Sequence, residues 1–330
     1  MAKKKFSAGL TVVSCFLALV IGFAAAFFLY TYLTRPKGGD VYVSGDLSIH
    51  FMELGNKYAG DSIYIKAGDT DILIDAGSRA GSTETTSAYI DRYCTDGVLE
   101  YVIATHADQD HIAGFAGSNS SPSIFDRFTC ETIITFNLTN QKMETASGNP
   151  TLYAKYVDQL QEAVDAGATH YTALQCCNNE GGAQRVFEIS DGIEMEILYN
   201  YFYEYDSDKE NNYSVCLMFN QGDKHFLFTG DLEKEGEEYL VQYNELPKVE
   251  LFKAGHHGSG TSSNDALLSV IKPKIVCVCC CAGTDEYTDT PANQFPTQDM
   301  IDRVAAYTDR VYVTSLGDES AEGGYTSMNG

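Results

Sequence analysis

Between Leu10 and Leu33 the sequence runs for 24 residues without a charged side chain. As a helix rising about 1.5 Å per residue it would reach about 36 Å, more than the roughly 30 Å of bilayer hydrocarbon. Such a run divides the chain into a segment that prefers lipid and a remainder that must fold in water. The expectation is an uncleaved transmembrane anchor. A cleaved leader is the competing reading, because Ala24-Ala25-Ala26 imitates a cleavage site. Phe27-Phe28-Leu29-Tyr30 nevertheless extends the apolar run past it, and a leader's core is usually only about 7–15 residues. Cys15 is misplaced for lipid attachment, since the longer apolar stretch lies after it. Lys3, Lys4 and Lys5 precede the run, while Arg35 and Lys37 come after it. That imbalance places the N-terminus in the cytoplasm and the rest outside, in a single-pass cell-membrane protein. Residues 1–39 are then start, anchor and short linker, and residues 40–330 form one domain.

Every acidic residue lies from Asp40 onward, so 17 basic residues face 46 acidic ones there, a balance of −29. This argues against tight nonspecific nucleic-acid binding through phosphates and suits a divalent cation. Hydrophobic residues at 44% supply a packed core. Nine cysteines lie beyond the anchor, an odd number, so complete internal pairing is excluded. Cys279-Cys280-Cys281 sits in a strand-like run whose side chains alternate in direction, so the three cannot converge on one metal and read as buried small hydrophobes.

Strands are expected over Leu47–Leu54, Ser62–Lys66, Asp71–Asp75, Tyr101–Thr105 and Thr132–Phe136, with helices at Thr85–Cys94 and Leu152–Ala166. The second half repeats the pattern. β segments are expected at Gly181–Ser190 and Glu194–Leu198, and a hairpin at Val215–Phe219 and His225–Thr229. Strands at Glu250–Lys253, Ile275–Cys279 and Val311–Thr314 alternate with helices at Leu232–Tyr243, Ala266–Ile271 and Asp299–Tyr307. Two facing sheets with helices outside satisfy this order.

The expected strand Tyr101–Thr105 runs directly into His106-Ala107-Asp108-Gln109-Asp110-His111. Four metal-capable side chains stand within six residues of a rigid strand end. In an extended stretch His106 and Asp108 point the same way, and a turn swings Asp110 and His111 toward a neighbouring position. One loop can thus serve two adjacent metals with imidazole and carboxylate, a set suited to zinc, manganese or iron. Gly230-Asp231 and His256-His257-Gly258 also close expected strands. His50, His170 and His225 lack such a context and read as core or surface residues.

Together these residues resemble the metallo-β-lactamase superfamily, and most closely the hydrolase domain of competence protein ComEC and its stand-alone relatives. The resemblance rests on Ile72-Leu-Ile-Asp75-Ala-Gly77, Thr105-His106-Ala-Asp108-Gln-Asp110-His111-Ile-Ala-Gly114, Asn212-Tyr-Ser214-Val, Phe228-Thr-Gly-Asp231 and Lys253-Ala-Gly-His256-His257-Gly258-Ser259. It implies an α/β fold, an αββα sandwich, with one or two divalent ions, zinc or manganese, at one edge. His106 and Asp108 would hold the first ion. Asp110 and His111, with His256 or His257, would hold the second, and Asp231 would bridge them. Asp75 would orient ligands from behind. Asp110, His256 and His257 would serve catalysis, the spare member of the histidine pair donating a proton to the leaving group.

Two departures stand out. Asp108 replaces a histidine common in the superfamily and makes the first position harder, which favours manganese. Asn293-Gln-Phe295-Pro296 lacks a histidine the family tends to carry there. The implied function is a metal-dependent hydrolase that activates water against a phosphodiester, nuclease-like, with DNA as the family's suggestion. Small or cell-envelope phosphodiesters and thiol or lactone esters are alternatives, and a lactamase proper is disfavoured by Asp108 and the anchor. From a different class, a non-catalytic surface or assembly module would keep the fold with one metal or none. The membrane is the only partner the sequence itself names.

Overall fold

The computed structural model describes residues 47–55 and 60–317. Among these, no helix is long and apolar enough to cross a membrane. The span expected at Leu10–Leu33 and the linker after it lie outside the described residues.

The first sheet has six strands in sequence order, β1 (Leu47–Phe51), β2 (Ile63–Ala67), β3 (Thr70–Ile74), β4 (Val98–Ala104), β5 (Thr129–Thr135) and β6 (Thr169–Thr172). β1–β3 form an antiparallel meander, and β3 to β6 run parallel. The second sheet holds seven strands in the order β13-β12-β11-β10-β9-β8-β7. β7 (Val186–Ser190), β8 (Ile193–Leu198), β9 (Cys216–Gln221) and β10 (Lys224–Phe228) are antiparallel neighbours. β10, β11 (Leu251–Lys253), β12 (Ile275–Ala282) and β13 (Val311–Leu316) are parallel.

The sheets bury one apolar core between them, built from side chains such as Ile72, Ile103 and Ile134 of the first and Leu217, Phe219 and Phe228 of the second. Phe51 of β1 stacks on Phe228 of β10 at 6.3 Å, and Tyr101 meets Phe187 edge-on at 5.4 Å, so the faces touch across the gap. A second core on the far side of β9–β13 takes Met218, Phe252, Val276 and Val278. It seals them beneath helices at Lys234–Tyr243, Asp265–Ile271 and Gln298–Ala305. Helix Leu152–Asp165 starts where the Thr151 hydroxyl accepts from the Ala154 N–H, an N-cap that satisfies an otherwise orphaned donor. The two facing sheets expected from the sequence are therefore present.

The cysteine run in β12 behaves as its alternation requires. Cys279 joins the core between the sheets and Cys280 the outer core. All nine cysteines among the described residues are free thiols.

Strand direction determines where chemistry gathers. β3, β4, β10 and β11 each run to a carboxyl end that continues into one of the sequence motifs, at Asp75, His106, Asp231 and His256-His257. Loops at the carboxyl ends of parallel strands are the usual place for a ligand in sheets of this kind.

Candidate metal centre

β4 delivers His106 at its end, and the chain then enters helix Gln109–Ala116, whose first turn carries Asp110 and His111. That helix lies close against the β3 exit. A Cβ on Gly114 would stand 2.3 Å from the Ala76 carbonyl, so only glycine allows the approach. The Ala76 N–H donates to the His111 carbonyl at 2.9 Å, fixing the two motifs to each other.

Asp75 sits in a left-handed conformation with φ 57 and is fully buried. Its Oδ1 accepts from the Thr105 N–H at 2.8 Å, and its Oδ2 accepts from the Thr105 hydroxyl and from His111 Nδ1, both at 2.7 Å. Since a carboxylate only accepts, His111 keeps a proton on Nδ1, so that Nε2 is the nitrogen that would give up its proton and turn a lone pair to a bound cation. His257 is arranged alike. Its Nδ1 donates to the Cys279 carbonyl at 2.9 Å, leaving Nε2 for the site. His106 packs its ring 4.1 Å from that of His111 and places Nδ1 3.1 Å from the Thr105 hydroxyl.

The result is one convergence point. Asp231 Oδ2 lies 3.2 Å from His111 Nε2 and 3.0 Å from His257 Nε2, and Asp110 Oδ2 lies 3.0 Å from His257 Nε2. The Nε2 atoms of His106, His111 and His257 and the Oδ1 of Asp61 are buried without a hydrogen-bond partner. Buried polar atoms are normally satisfied, so these orphans indicate a missing partner. Asp61, His111, Asp231 and His257 offer ligand atoms all within 4.8 Å of one another. Imidazole and carboxylate in that number suit a divalent ion.

Charge supports the same reading. Burial by itself would lower the His111 and His257 pKa values, but the surrounding carboxylates, Asp231 above all, raise both well above the usual imidazole range. Burial would raise Asp231, yet His257, Lys253 and His111 hold it well below the carboxylate range. The pocket attracts positive charge, and a bound cation would displace the imidazole protons.

The two histidines of the pair separate. His256 and His257 both adopt left-handed backbone, with φ 48 and 52, a strained arrangement costing about 1–3 kcal/mol per residue that concentrates at functional sites. The turn sends His257 inward, and it is the member of the pair that reaches the convergence point. The side chain of His256 is a quarter exposed, and its Nδ1 is 3.0 Å from the Thr261 hydroxyl. Only its backbone N–H reaches Asp231, donating to Oδ1 at 3.2 Å. Asp108 lines the same cleft beside His106. Its Oδ1 accepts from Gln141 Nε2 at 2.9 Å, and its Oδ2 stands 3.7 Å from His106 Nε2.

His50 bonds Tyr89 and Ser48, His170 bonds Thr135 and His225 bonds Asn220, so the three context-free histidines are structural as expected.

Sequence reasoning missed two participants. Asp61 ends the β1–β2 loop, and Lys253, 1% exposed, ends β11. Signals for both existed. Gly60-Asp61 before an apolar strand echoes Gly230-Asp231, and Lys253 is a charge flanked by Phe252 and Ala254, both fully buried. Above the centre lies a cleft of about 380 Å³, walled by Asp108, Asp110, Asp231, His256, Tyr287 and Phe295. Tyr287 stacks on the His257 ring at 5.1 Å.

Residues 55–118 match the metallo-beta-lactamase superfamily. ComE operon protein 3 of Bacillus subtilis (strain 168) is 32% identical over 106 residues, 31% of this chain and 13% of that protein. Competence protein ComA of Neisseria gonorrhoeae is 31% identical over 127 residues, 38% of this chain and 17% of that protein. The chain thus spans less than a fifth of the length of these relatives. Among solved structures, the metallo-beta-lactamase fold protein YhfI from Bacillus subtilis aligns over 86% of this chain and 92% of that one, at 11% identity and a TM-score of 0.43. The resemblance read from the motifs therefore holds: this is an α/β chain with two sheets and a metallo-β-lactamase superfamily segment at residues 55–118, similar in sequence to competence proteins.

Proposed function

We propose that this chain is a metal-dependent phosphodiesterase, anchored through Leu10–Leu33, with residues 40–330 outside the cytoplasm. The observation that carries the reading is the convergence of His111 and His257 Nε2 with Asp231, beside Asp110 and near the partnerless Nε2 of His106, at the floor of an open cleft. Asp110, His111, Asp231 and His257 would hold zinc or manganese, with His106 and Asp108 at its flank. When bound, such an ion supplies a hydroxide at neutral pH and polarises a substrate oxygen. The chain's own part is orientation and proton handling. Asp75 and the Cys279 carbonyl fix the imidazole tautomers. Asp110, with its side chain 19% exposed at the cleft, accepts a hydrogen bond from the attacking water. His256, on the cleft wall and held by Thr261, is the donor toward the leaving group.

DNA is the phosphodiester that similarity to competence proteins suggests. The balance of −29 and a cleft walled by three aspartates favour a short or small phosphodiester over a long polyanion. The test is hydrolysis of bis-p-nitrophenyl phosphate by metal-stripped protein after addition of manganese or zinc. Asp110→Ala and His111→Ala should each abolish turnover, and undiminished activity in either sinks the reading. Protein that binds no metal and cleaves no ester would instead be the non-catalytic module.

A further inference from the structure

Glu210 is no member of the ligand constellation, yet three donors meet on its carboxylate. It opens a short 3-10 turn, Glu210–Tyr213, between β8 and β9 of the second sheet. Its Oε1 accepts from the Ala107 N–H at 3.2 Å and from the Thr139 hydroxyl at 2.8 Å, and its Oε2 accepts from the Asn140 N–H at 2.7 Å. Ala107 is the buried residue between His106 and Asp108, and a buried N–H requires an acceptor. A carboxylate from the second sheet supplies it to a loop of the first.

The same carboxylate anchors the strap of residues 137–141 that follows β5, through Thr139 and Asn140. Gln141, the next residue along, donates from Nε2 to Asp108 Oδ1 at 2.9 Å. That leaves Asp108 Oδ2 at the cleft, 3.7 Å from the partnerless Nε2 of His106. Two donors about 2.1 Å from one ion in a tetrahedral array stand about 3.4 Å apart, so these two atoms can share an ion with little movement. The neighbouring ligands take their support elsewhere. His111 is held by Asp75, His257 by the Cys279 carbonyl and Asp231 by Lys253.

We infer that Glu210 is the positioning residue of the His106–Asp108 ion position. It fixes the peptide between the two ligands directly and sets Asp108 through the strap and Gln141. The inference rests on the metal-centre reading of the site. Alternate residues of an extended stretch point the same way, so a turn of the Ala107 peptide swings His106 and Asp108 together. Loss of the Glu210 carboxylate therefore loosens both ligands of this position, while the position at Asp110, His111, Asp231 and His257 keeps its supports.

The experiment is calorimetric titration of the full-length, metal-stripped protein with zinc and separately with manganese, resolving two binding steps. Asp108→Ala, which removes a ligand, identifies the step that belongs to this position. Glu210→Ala should weaken that step about 10–100-fold, the scale for losing a group that orients a metal ligand, and leave the other within about twofold. Glu210→Gln keeps an oxygen for the Ala107 N–H and should recover most of the lost affinity. Asn137→Ala removes the strap's bond to the Tyr203 carbonyl, 2.8 Å, without touching either ligand. It should lower the melting temperature and leave both steps unchanged. The inference falls, with the metal centre intact, if Glu210→Ala keeps both steps within about twofold or loses both equally. It falls likewise if Glu210→Gln binds no better than Glu210→Ala, if Asn137→Ala reproduces the loss, or if wild type takes only one ion. Wild type that takes none overturns the metal centre itself, and this inference with it. Should Glu210→Ala fail to fold, Glu210→Asp decides by the same readout, since it keeps the charge but shortens the reach to Ala107.

Discussion

Asp75→Asn tests whether the imidazole behind the centre is held in one tautomer by a carboxylate. The substitution is nearly isosteric. Asparagine also tolerates left-handed backbone, so the φ of 57 adds little strain. The change is one of donor and acceptor count. Asp75 accepts three hydrogen bonds, from the Thr105 N–H, the Thr105 hydroxyl and His111 Nδ1, and all three need an acceptor. An amide offers one oxygen. If that oxygen keeps the Thr105 N–H, the amide NH₂ confronts His111 Nδ1 and drives the ring to the other tautomer, with its proton on Nε2 and no lone pair toward the metal. If the amide flips, a buried backbone N–H loses its partner. Hydrogen bonds to a charged group contribute about 1.5–3 kcal/mol each, so losing one or two costs about 2–5 kcal/mol of stability. Disturbing a carboxylate behind a metal-binding histidine typically weakens metal affinity about 10–100-fold. Urea unfolding of metal-free protein reads the first quantity and calorimetric titration with zinc or manganese the second. Stability within about 0.5 kcal/mol of wild type, together with affinity within about twofold, would refute the tautomer argument.

His257→Ala should abolish tight metal binding, whereas His256→Ala should leave affinity within a few-fold and lower turnover; equal loss of metal in both would contradict the separation of the pair. Gly60→Ala should destabilise by about 2 kcal/mol or more, because φ is +65 and the new Cβ would meet the Asp110 carbonyl at 2.2 Å; an unchanged melting temperature would show that the loop yields. Glu237 is buried, which pushes its carboxyl up to about 7, although the Asn264 N–H and side chain and the Ser263 N–H pull it back. The folded state then holds this proton more tightly than the unfolded state, so its contribution is full below about pH 4.5 and is lost as pH rises toward about 7, by up to about 3 kcal/mol. Denaturation midpoints of wild type and Glu237→Gln across pH 4–8 should differ by that slope, and parallel curves would discount it.

The centre was legible where it is local in sequence. Tyr101–Thr105 reads as a strand from its β-branched and aromatic content, and a strand that stops at His106 must present the next few side chains at a sheet edge. The same logic located Asp231 and the His256-His257 pair. Long-range geometry was not legible. Which histidine of the pair faces inward depends on two consecutive left-handed residues, a conformation no side-chain pattern announces. The spacing of Asp108 from His106 brings its Oδ2 to 3.7 Å from His106 Nε2, but the partner of its Oδ1, Gln141, comes from a loop 33 residues away in sequence. Asp61 lay inside a loop whose length obscured its alignment with the centre, and Lys253 in a stretch read only as a strand. β6, Thr169–Thr172, was missed because Thr-His-Tyr-Thr at a sheet edge lacks apolar alternation.

The alternation of β12 also makes the strand a pair of reporters. Cys279 and Cys280 are adjacent in sequence and both fully buried, yet one belongs to the core between the sheets and the other to the core beneath the helices. A thiol reagent can reach the first only when the sheets part and the second only when the helix layer lifts. Pulsed alkylation resolved by mass spectrometry would therefore time the two openings separately within a single peptide. Because the Cys279 carbonyl also receives His257 Nδ1, metal that locks His257 should slow labelling of Cys279 more than that of its neighbour.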